Sequence, residues 1–349
     1  MRIALVTETL FAGVSIDGVT TTVKAVADRM IEAGHEVSFV APGPGLPCYR
    51  KSTVARVSPL AKTGRQVRDA LDVFGPEMVV SFDPRRIGRK ALAHARAWGV
   101  RTAVVQQSAV DDEAWPDRVA AHADDVLVTS RWLRTVLLEL GVRADLWLPG
   151  VDTAAFSPAL RDTWLHGHWS RAKSRETPLV VVGYAGRLAK PHGVRRLTTL
   201  GAVPGIRPVV IGDGPQRGWL EQRIVDARFT GPLGTGDLAV ALASLDVLIH
   251  PGEREGCGHV LREAAASGLP VVAPRAGAAA EIVQHLETGL LYGPGDERDL
   301  VAALTAVTAD PHRALLGRRG REVAAARGWT TAADELLVRL LHRSEQPAA

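Results

Sequence analysis

Two cysteines in 349 residues, Cys48 and Cys257, are too few for a disulfide framework or a cysteine metal site, and they fit a reducing cytosol. Long apolar runs are missing as well. None reaches the roughly 18 residues that a helix needs to cross a bilayer. The opening residues MRIALVTETL have neither a long apolar stretch nor a small-residue cleavage site, so they read as a first β-strand rather than a signal peptide. The Asp-x-Asp pattern that commonly holds a divalent cation occurs nowhere. Aromatic residues make up 5% of the chain, and no nucleic-acid motif accompanies them, which argues against that class of partner.

What is present is ordinary for a globular protein: 46% hydrophobic and 23% charged residues, with a net charge of +4. The length suits two α/β domains of roughly 150 residues each. Only six of the 42 basic residues are lysine. Their distribution says more than their sum. Residues 37–68 carry Arg50, Lys51, Arg56, Lys62, Arg65 and Arg68 with no acidic residue, and residues 84–110 carry Arg85, Arg86, Arg89, Lys90, Arg96 and Arg101 in the same way. Such stretches are either solvated helix faces or attractors of a phosphorylated acceptor or an anionic membrane surface.

Short β-branched runs alternate with helical patterns along the whole chain, the signature of βαβ units and parallel sheets. The first half offers the strands RIALVT, EVSFVA, MVVSF, TAVVQQ, DVLVTS and DLWLPG. Helices between them include TTTVKAVADRMIEAG, stopped by Gly34, and SRWLRTVLLELG, opened by Ser130 and stopped by Gly141. After a polar break the alternation restarts with LVVVGYAG, PVVIGDGP, RFTGP, VLIHPG, PVVAP and LLYGP. The expected division is an N-terminal Rossmann-like domain over 1–151, a linker over 152–178, a second Rossmann-like domain over 179–327, and a C-terminal helical segment, 328–349, open to packing back on the first domain. Two doubly wound domains of this kind are expected to face a ligand cleft at the carboxyl ends of their strands.

The strongest chemical signal is IHPGEREGCGHVLREAAASGLPVVAPRA, from Ile249 to Ala276. A strand ends at a loop carrying Glu255, a glycine-rich turn follows through Gly256, Cys257 and Gly258, and a helix opens that carries Glu263. The unpaired N–H groups and positive dipole end of such a helix favour a phosphate or sugar oxygens. The small residues let a ligand approach the backbone. The two carboxylates can accept hydrogen bonds from hydroxyls along an extended ligand.

The spacing of Glu255 and Glu263, followed by AAASGLPVVAPRAG, resembles the E-x7-E signature of glycosyltransferase family 4, whose retaining enzymes have two Rossmann domains (the GT-B fold). VTETLF with DGVTTTV, GHEVSFVAPGPG, PGVDTAAFSP, GYAGRLAKPHGV, VVIGDGP and FTGPLGTGDLAVALASLDVLIHPG recur there in the same order, nearest the GDP-mannose-dependent α-mannosyltransferases. The resemblance implies a metal-independent hexosyltransferase with no cofactor, moving a hexose from a nucleotide diphosphate sugar to a hydroxyl acceptor with retention. GDP-mannose is the first expectation for the donor, and UDP-N-acetylglucosamine or UDP-glucose the second. It implies that Glu255 meets the donor sugar, that the backbone from Gly256 through Cys257 and Gly258 to His259 holds the sugar and distal phosphate, and that Glu263 binds the ribose. Phe229, Thr230 and Gly231 would line the base pocket, and Gly18 would let the diphosphate approach the first βα loop. The acceptor would be a small molecule, a glycan or a phosphorylated compound.

Two departures stand out. Family members read GRLAPEKGV where this chain reads GRLAKPHGV, so His192 occupies the lysine position and Lys190 lies two places earlier. Arg187 can make a bidentate phosphate contact; either Lys190 or a protonated His192 supplies the second charge. On the acceptor side, TAVVQQSAVDD resembles the Tyr-Gln-Thr-Asp segment: Gln106 matches the glutamine, while Ser108 replaces the aspartate. GDGPQRG, Gly212–Gly218, mimics a dinucleotide fingerprint, but its third glycine comes one place late and no acidic residue ends the next strand. Two rivals follow. A nicotinamide-dependent oxidoreductase would bind that cofactor to saturation, and a non-catalytic sugar-nucleotide binder would bind donor without turnover.

Overall fold

Two parallel sheets organise the chain in the computed structural model, which describes residues 1–10, 17–58, 60–172 and 178–342. One unit comprises Met1–Gly150 together with the C-terminal segment from Trp329; the other comprises Val151–Gly328. Phe11 of the VTETLF stretch and residues 173–177 of the expected linker lie outside the described residues.

The strands of the first unit are β1 (Arg2–Thr7), β2 (Glu36–Pro42), β3 (Cys48–Tyr49), β4 (Ser52–Val57), β5 (Met78–Phe82), β6 (Arg101–Gln106), β7 (Asp125–Val128) and β8 (Asp145–Leu146). They assemble in the order β3-β4-β2-β1-β5-β6-β7-β8, parallel except for the β3–β4 pair. β1 shows why the apolar runs are continuous. Ile3 and Leu5 enter one core with Phe39, Phe82 and Val23, while Ala4 and Val6 enter another with Val67, Leu71 and Ile87. A strand covered by helices on both faces has no polar side to show. Asp17 caps the helix Gly18–Glu32 by accepting from the Thr20 amide at 2.7 Å, and Ser130 caps Arg131–Glu139 through the Leu133 amide at 3.1 Å.

The second unit carries β9 (Val180–Ala185), β10 (Ile206–Ile211), β11 (Arg228–Gly231), β12 (Val247–Ile249), β13 (Val271–Pro274) and β14 (Gly289–Tyr292), in the order β11-β10-β9-β12-β13-β14. Its core is also two-sided. Val181, Val209, Leu248 and Val271 face one layer, and Val182, Val210, Val247 and Val272 the other.

Two features depart from the sequence expectation, and a third answers a point that the sequence left open. The β3–β4 hairpin was hidden in a stretch that reads as basic and proline-rich. Within that stretch Arg56 donates to the carbonyls of Leu10, Pro42 and Leu46, and Arg50 pairs with Asp28, so these two charges brace the fold. The stretch 152–178 is part of the second unit and carries a helix, Thr163–Ser170, capped by Asp162 and packed on β9 and β10, with Trp169 buried. Its sequence TWLHGHWS hides a single apolar contact face among polar residues. Finally, the helix Trp329–His342 joins the first unit. Ala332, Leu336, Leu337 and Leu340 enter its core, and the Trp147 indole N–H donates to the Ala332 carbonyl at 2.7 Å.

Replacing Trp147 with Phe keeps most of the apolar area but removes that bond, leaving the carbonyl its helical partner alone. Urea unfolding should therefore report a loss of about 1 kcal/mol. An unchanged midpoint would show that the indole bond does not hold the terminal helix.

Candidate functional site

In the second unit, the carboxyl ends of β9, β10, β11 and β12 deliver the segments that the sequence marks for chemistry. The GDGPQRG turn is a close crossing of chains. A Cβ at Gly212 would lie 2.0 Å from the Gly186 carbonyl oxygen, and one at Gly214 2.5 Å from that of Leu188, both at positive φ. Glycine is required there to let three strand ends meet, with no dinucleotide needed to explain it.

After β12 the chain runs through Pro251 and Glu255 into the helix His259–Ala266. Gly258 precedes that helix at φ +72, where an added Cβ would lie 2.4 Å from Ile282. The helix opens without a side-chain cap. Glu255 lies across its entrance: Oε1 accepts from the Gly258 amide at 2.9 Å and from the Cys257 amide at 3.1 Å. Oε2 faces His250 Nε2 at 3.6 Å. Burial alone would raise the Glu255 carboxyl, but His250 and these two amides outweigh it and hold it below its ordinary value. His250 itself is fully enclosed, its Nε2 has no hydrogen-bond partner, and burial lowers its pKa against the pull of Glu255.

Glu263 lies one helical stretch beyond. Burial raises its carboxyl from 4.5 to about 7. Cys257 is buried and its Sγ lies 3.1 Å from His259 Nε2. This makes the pair part of the loop's packing.

The cation loop after β9 is held by Tyr184, whose hydroxyl donates to the Arg187 carbonyl at 3.0 Å. Arg187 and Lys190 are exposed, and neither has an ion pair among the described residues. His192 stands on the same short turn. Burial lowers its pKa, Glu255 opposes that and Arg187 adds to it, so the ring is neutral at physiological pH. Arg187, His192, His250 and Glu255 are thus within electrostatic reach of one another. At the end of β11, Phe229 is half-buried against the core, Thr230 turns its hydroxyl to the Gly231 carbonyl at 2.9 Å, and Gly231 adopts φ +78.

In the first unit, Gly18 begins the helix capped by Asp17. Gln106 ends β6, with Nε2 donating to the Ser108 carbonyl at 2.9 Å and a buried Oε1 that has no partner. Sequence reasoning missed its neighbour. Asp83, at φ +45 just after β5, accepts from the Gln107 amide at 2.6 Å, the Ser108 amide at 3.0 Å and the Ser108 hydroxyl at 2.7 Å. Burial raises its carboxyl in spite of those bonds. The aspartate absent at position 108 is therefore answered by a carboxylate from the adjoining strand. His250 was missed as well; its place immediately after a buried strand, in IHPG, was the signal available.

Among the described residues no three His, Cys, Asp or Glu side chains cluster as metal ligands, and no helix is long and apolar enough to cross a membrane.

Residues 178–310 match the family described as glycosyl transferases group 1, and residues 16–155 match glycosyltransferase family 4. A GDP-mannose-dependent α-mannosyltransferase of Mycolicibacterium smegmatis is 33% identical, over 97% of this chain and 96% of that protein. One of Corynebacterium glutamicum is 29% identical over 90% of this chain and 82% of that protein. Among solved structures, a sucrose-phosphate synthase of Thermosynechococcus elongatus superposes with a TM-score of 0.81 at 21% identity, covering 99% of this chain and 100% of that one. Anabaena HepE in complex with UDP-glucose gives 0.79 at 19% identity, covering 97% and 99%. These neighbours share the two-domain GT-B architecture.

The raised Glu263 carboxyl fixes a sign. Between pH 4.5 and about 7 the folded chain keeps a proton that the unfolded chain has released, so this residue costs stability as pH rises through that window. Relative to wild type, Glu263→Gln should gain on the order of 2 kcal/mol above the window and little below it, after discounting for partial exposure. Melting curves at both ends check this; an equal difference at each would refute it.

Proposed function

The chain belongs to the family 4 glycosyltransferases, and from that membership we propose that its donor is GDP-mannose and that the mannosyl group passes to a hydroxyl acceptor with retained configuration and without a metal ion. The protein is a glycosyltransferase that takes a sugar from a nucleotide donor. The observation that carries the finer reading is the entrance of the helix His259–Ala266, where a left-handed glycine, the amides of Cys257 and Gly258 and the Glu255 carboxylate meet. GDP-mannose rests on the relatives, two of which are named as GDP-mannose-dependent.

In this reading Glu255 contacts the sugar hydroxyls, Glu263 the ribose, and the strand end Phe229–Gly231 the base. Charge growing on the departing diphosphate is met by the helix N-terminus and by Arg187 and Lys190. His192 is neutral and serves as a hydrogen-bonding group, leaving Lys190 as the second cation. Electrostatic stabilisation of this kind is commonly the largest contribution to catalysis, and it needs no proton on the leaving group. Without a paired carboxylate for a double displacement, front-face substitution fits, with the leaving diphosphate helping to deprotonate the acceptor. Gln106, oriented by Ser108 and Asp83, is the residue proposed to meet the acceptor in the first unit.

A peripheral contact with anionic lipid is a further part of the proposal. The helices Thr63–Phe74 and Arg86–Ala97 pack together and carry Arg68, Arg86, Arg89, Lys90 and Arg65, the last paired on the surface with Asp69, with Lys62 just before the first helix and the exposed Val73 and Trp98 at their C-terminal ends. Arg50, Arg56, Arg96 and Arg101 contribute little to it, because each is engaged within the unit.

In a melting series with GDP-, UDP-, ADP- and dTDP-sugars, GDP-mannose should give the largest rise by mass action. Glu255→Ala should lower transfer by more than about 100-fold with the fold intact, and a chelator should leave wild-type transfer unchanged. Undiminished transfer by Glu255→Ala would refute the site. On vesicles, phosphatidylserine should retain the chain at low salt and release it at high salt, whereas neutral phosphatidylcholine should not retain it.

A further inference from the structure

The amides assigned above to the donor are already occupied by the protein itself. Glu255 Oε1 accepts from both Cys257 and Gly258, so a carboxylate of this chain lies where the glycine turn presents its N–H groups to an anion. The second oxygen of the same carboxylate looks toward His250 Nε2 at 3.6 Å, beyond hydrogen-bond range. That nitrogen is one of the few buried polar atoms in the structure with no partner, on a ring only 5% exposed. A buried ring nitrogen left unpaired is costly in itself, and as an N–H it would be a donor for the neighbouring carboxylate.

We propose that Glu255 is an internal stand-in for the donor's phosphate, and that His250 is the second berth to which its carboxylate moves when a nucleotide takes the amides. The geometry supports both halves. The carboxylate has one oxygen on each side of the exchange, Oε1 on the amides and Oε2 toward His250, and leaving the amides takes a rotation of the Glu255 side chain. On the amides Glu255 satisfies groups that would otherwise be orphaned at the head of an uncapped helix. On His250 it satisfies the ring nitrogen and points its free oxygen outward, the position from which a sugar hydroxyl could reach it. The binding loop is therefore self-capped: nucleotide affinity is set by competition with Glu255, and the residue becomes available to the sugar only after displacement. His250 acts through Glu255 and is a positioning residue.

This inference rests on the donor assignment above and is read with GDP alone, which carries the diphosphate but no sugar for Glu255 to touch. Glu255→Ala removes the competitor, so it should bind GDP at least about threefold more tightly than wild type in calorimetric titration, even as it loses transfer. His250→Leu leaves the displaced carboxylate without a berth and should weaken GDP binding about fivefold, whereas in the Glu255→Ala background the same change should have almost no effect. His250→Gln, which restores a side-chain N–H, should recover most of the loss. A purely structural His250 would give equal losses in both backgrounds and no rescue, and that result overturns the proposal. So does weaker GDP binding by Glu255→Ala. If the wild-type chain binds neither GDP nor UDP nor ADP, the nucleotide-sugar assignment itself falls, an outcome separate from either of these.

Discussion

The site depends on two hydrogen bonds, from the amides of Cys257 and Gly258 to one oxygen of Glu255. They exist because β12 ends in a loop that must reverse into the helix His259–Ala266 through a left-handed residue, and only a glycine fits that place against Ile282. Backbone N–H groups at such a reversal cannot be paired within the helix. Something acidic has to lie there, and the chain supplies its own carboxylate at the distance where an external anion would bind. The depressed Glu255 carboxyl follows in part from that placement, since both amides favour its charged form.

Charge is distributed around this point in an uneven way. Arg187 and Lys190 are exposed and have no ion pair among the described residues, while His250 is buried and its pKa lowered by that burial. With histidine where the family pattern has lysine, position 192 carries no permanent charge, and Lys190 on the same exposed turn supplies one.

The first unit shows how a missing side chain can be recovered from elsewhere in the fold. Ser108 stands where the relatives' pattern has aspartate, and sequence alone reads this as a remodelled site. Yet Asp83, just past the end of the neighbouring strand β5, accepts from the Ser108 hydroxyl and from the amides of Gln107 and Ser108. Its left-handed backbone, unusual outside glycine, is maintained because three hydrogen bonds over-determine it. The same lesson in reverse applies to the basic stretches. Arg56 serves three carbonyls and Arg101 an aspartate, so part of what looked like a surface for an anionic partner is internal bracing.

Local pattern was enough for much of the architecture. Continuous β-branched runs between capped helices could only be parallel strands buried on both faces, and Glu255, the glycine turn and Glu263 were legible because helix-entrance chemistry is written in consecutive residues. The pattern could not show the short β3–β4 hairpin or the helix inside 152–178, and it left open the return of the terminal helix to the first unit. Both helices are held by contacts with residues distant in sequence. Asp83 stayed hidden because a carboxylate becomes a partner for Ser108 only once parallel strands have brought their ends together, whereas His250 lies in the same loop as Glu255 and was marked only by its place after a buried strand. Residue types and spacing determined what kind of groups the site would hold; tertiary packing decided which of them lose water, and hence which carry charge.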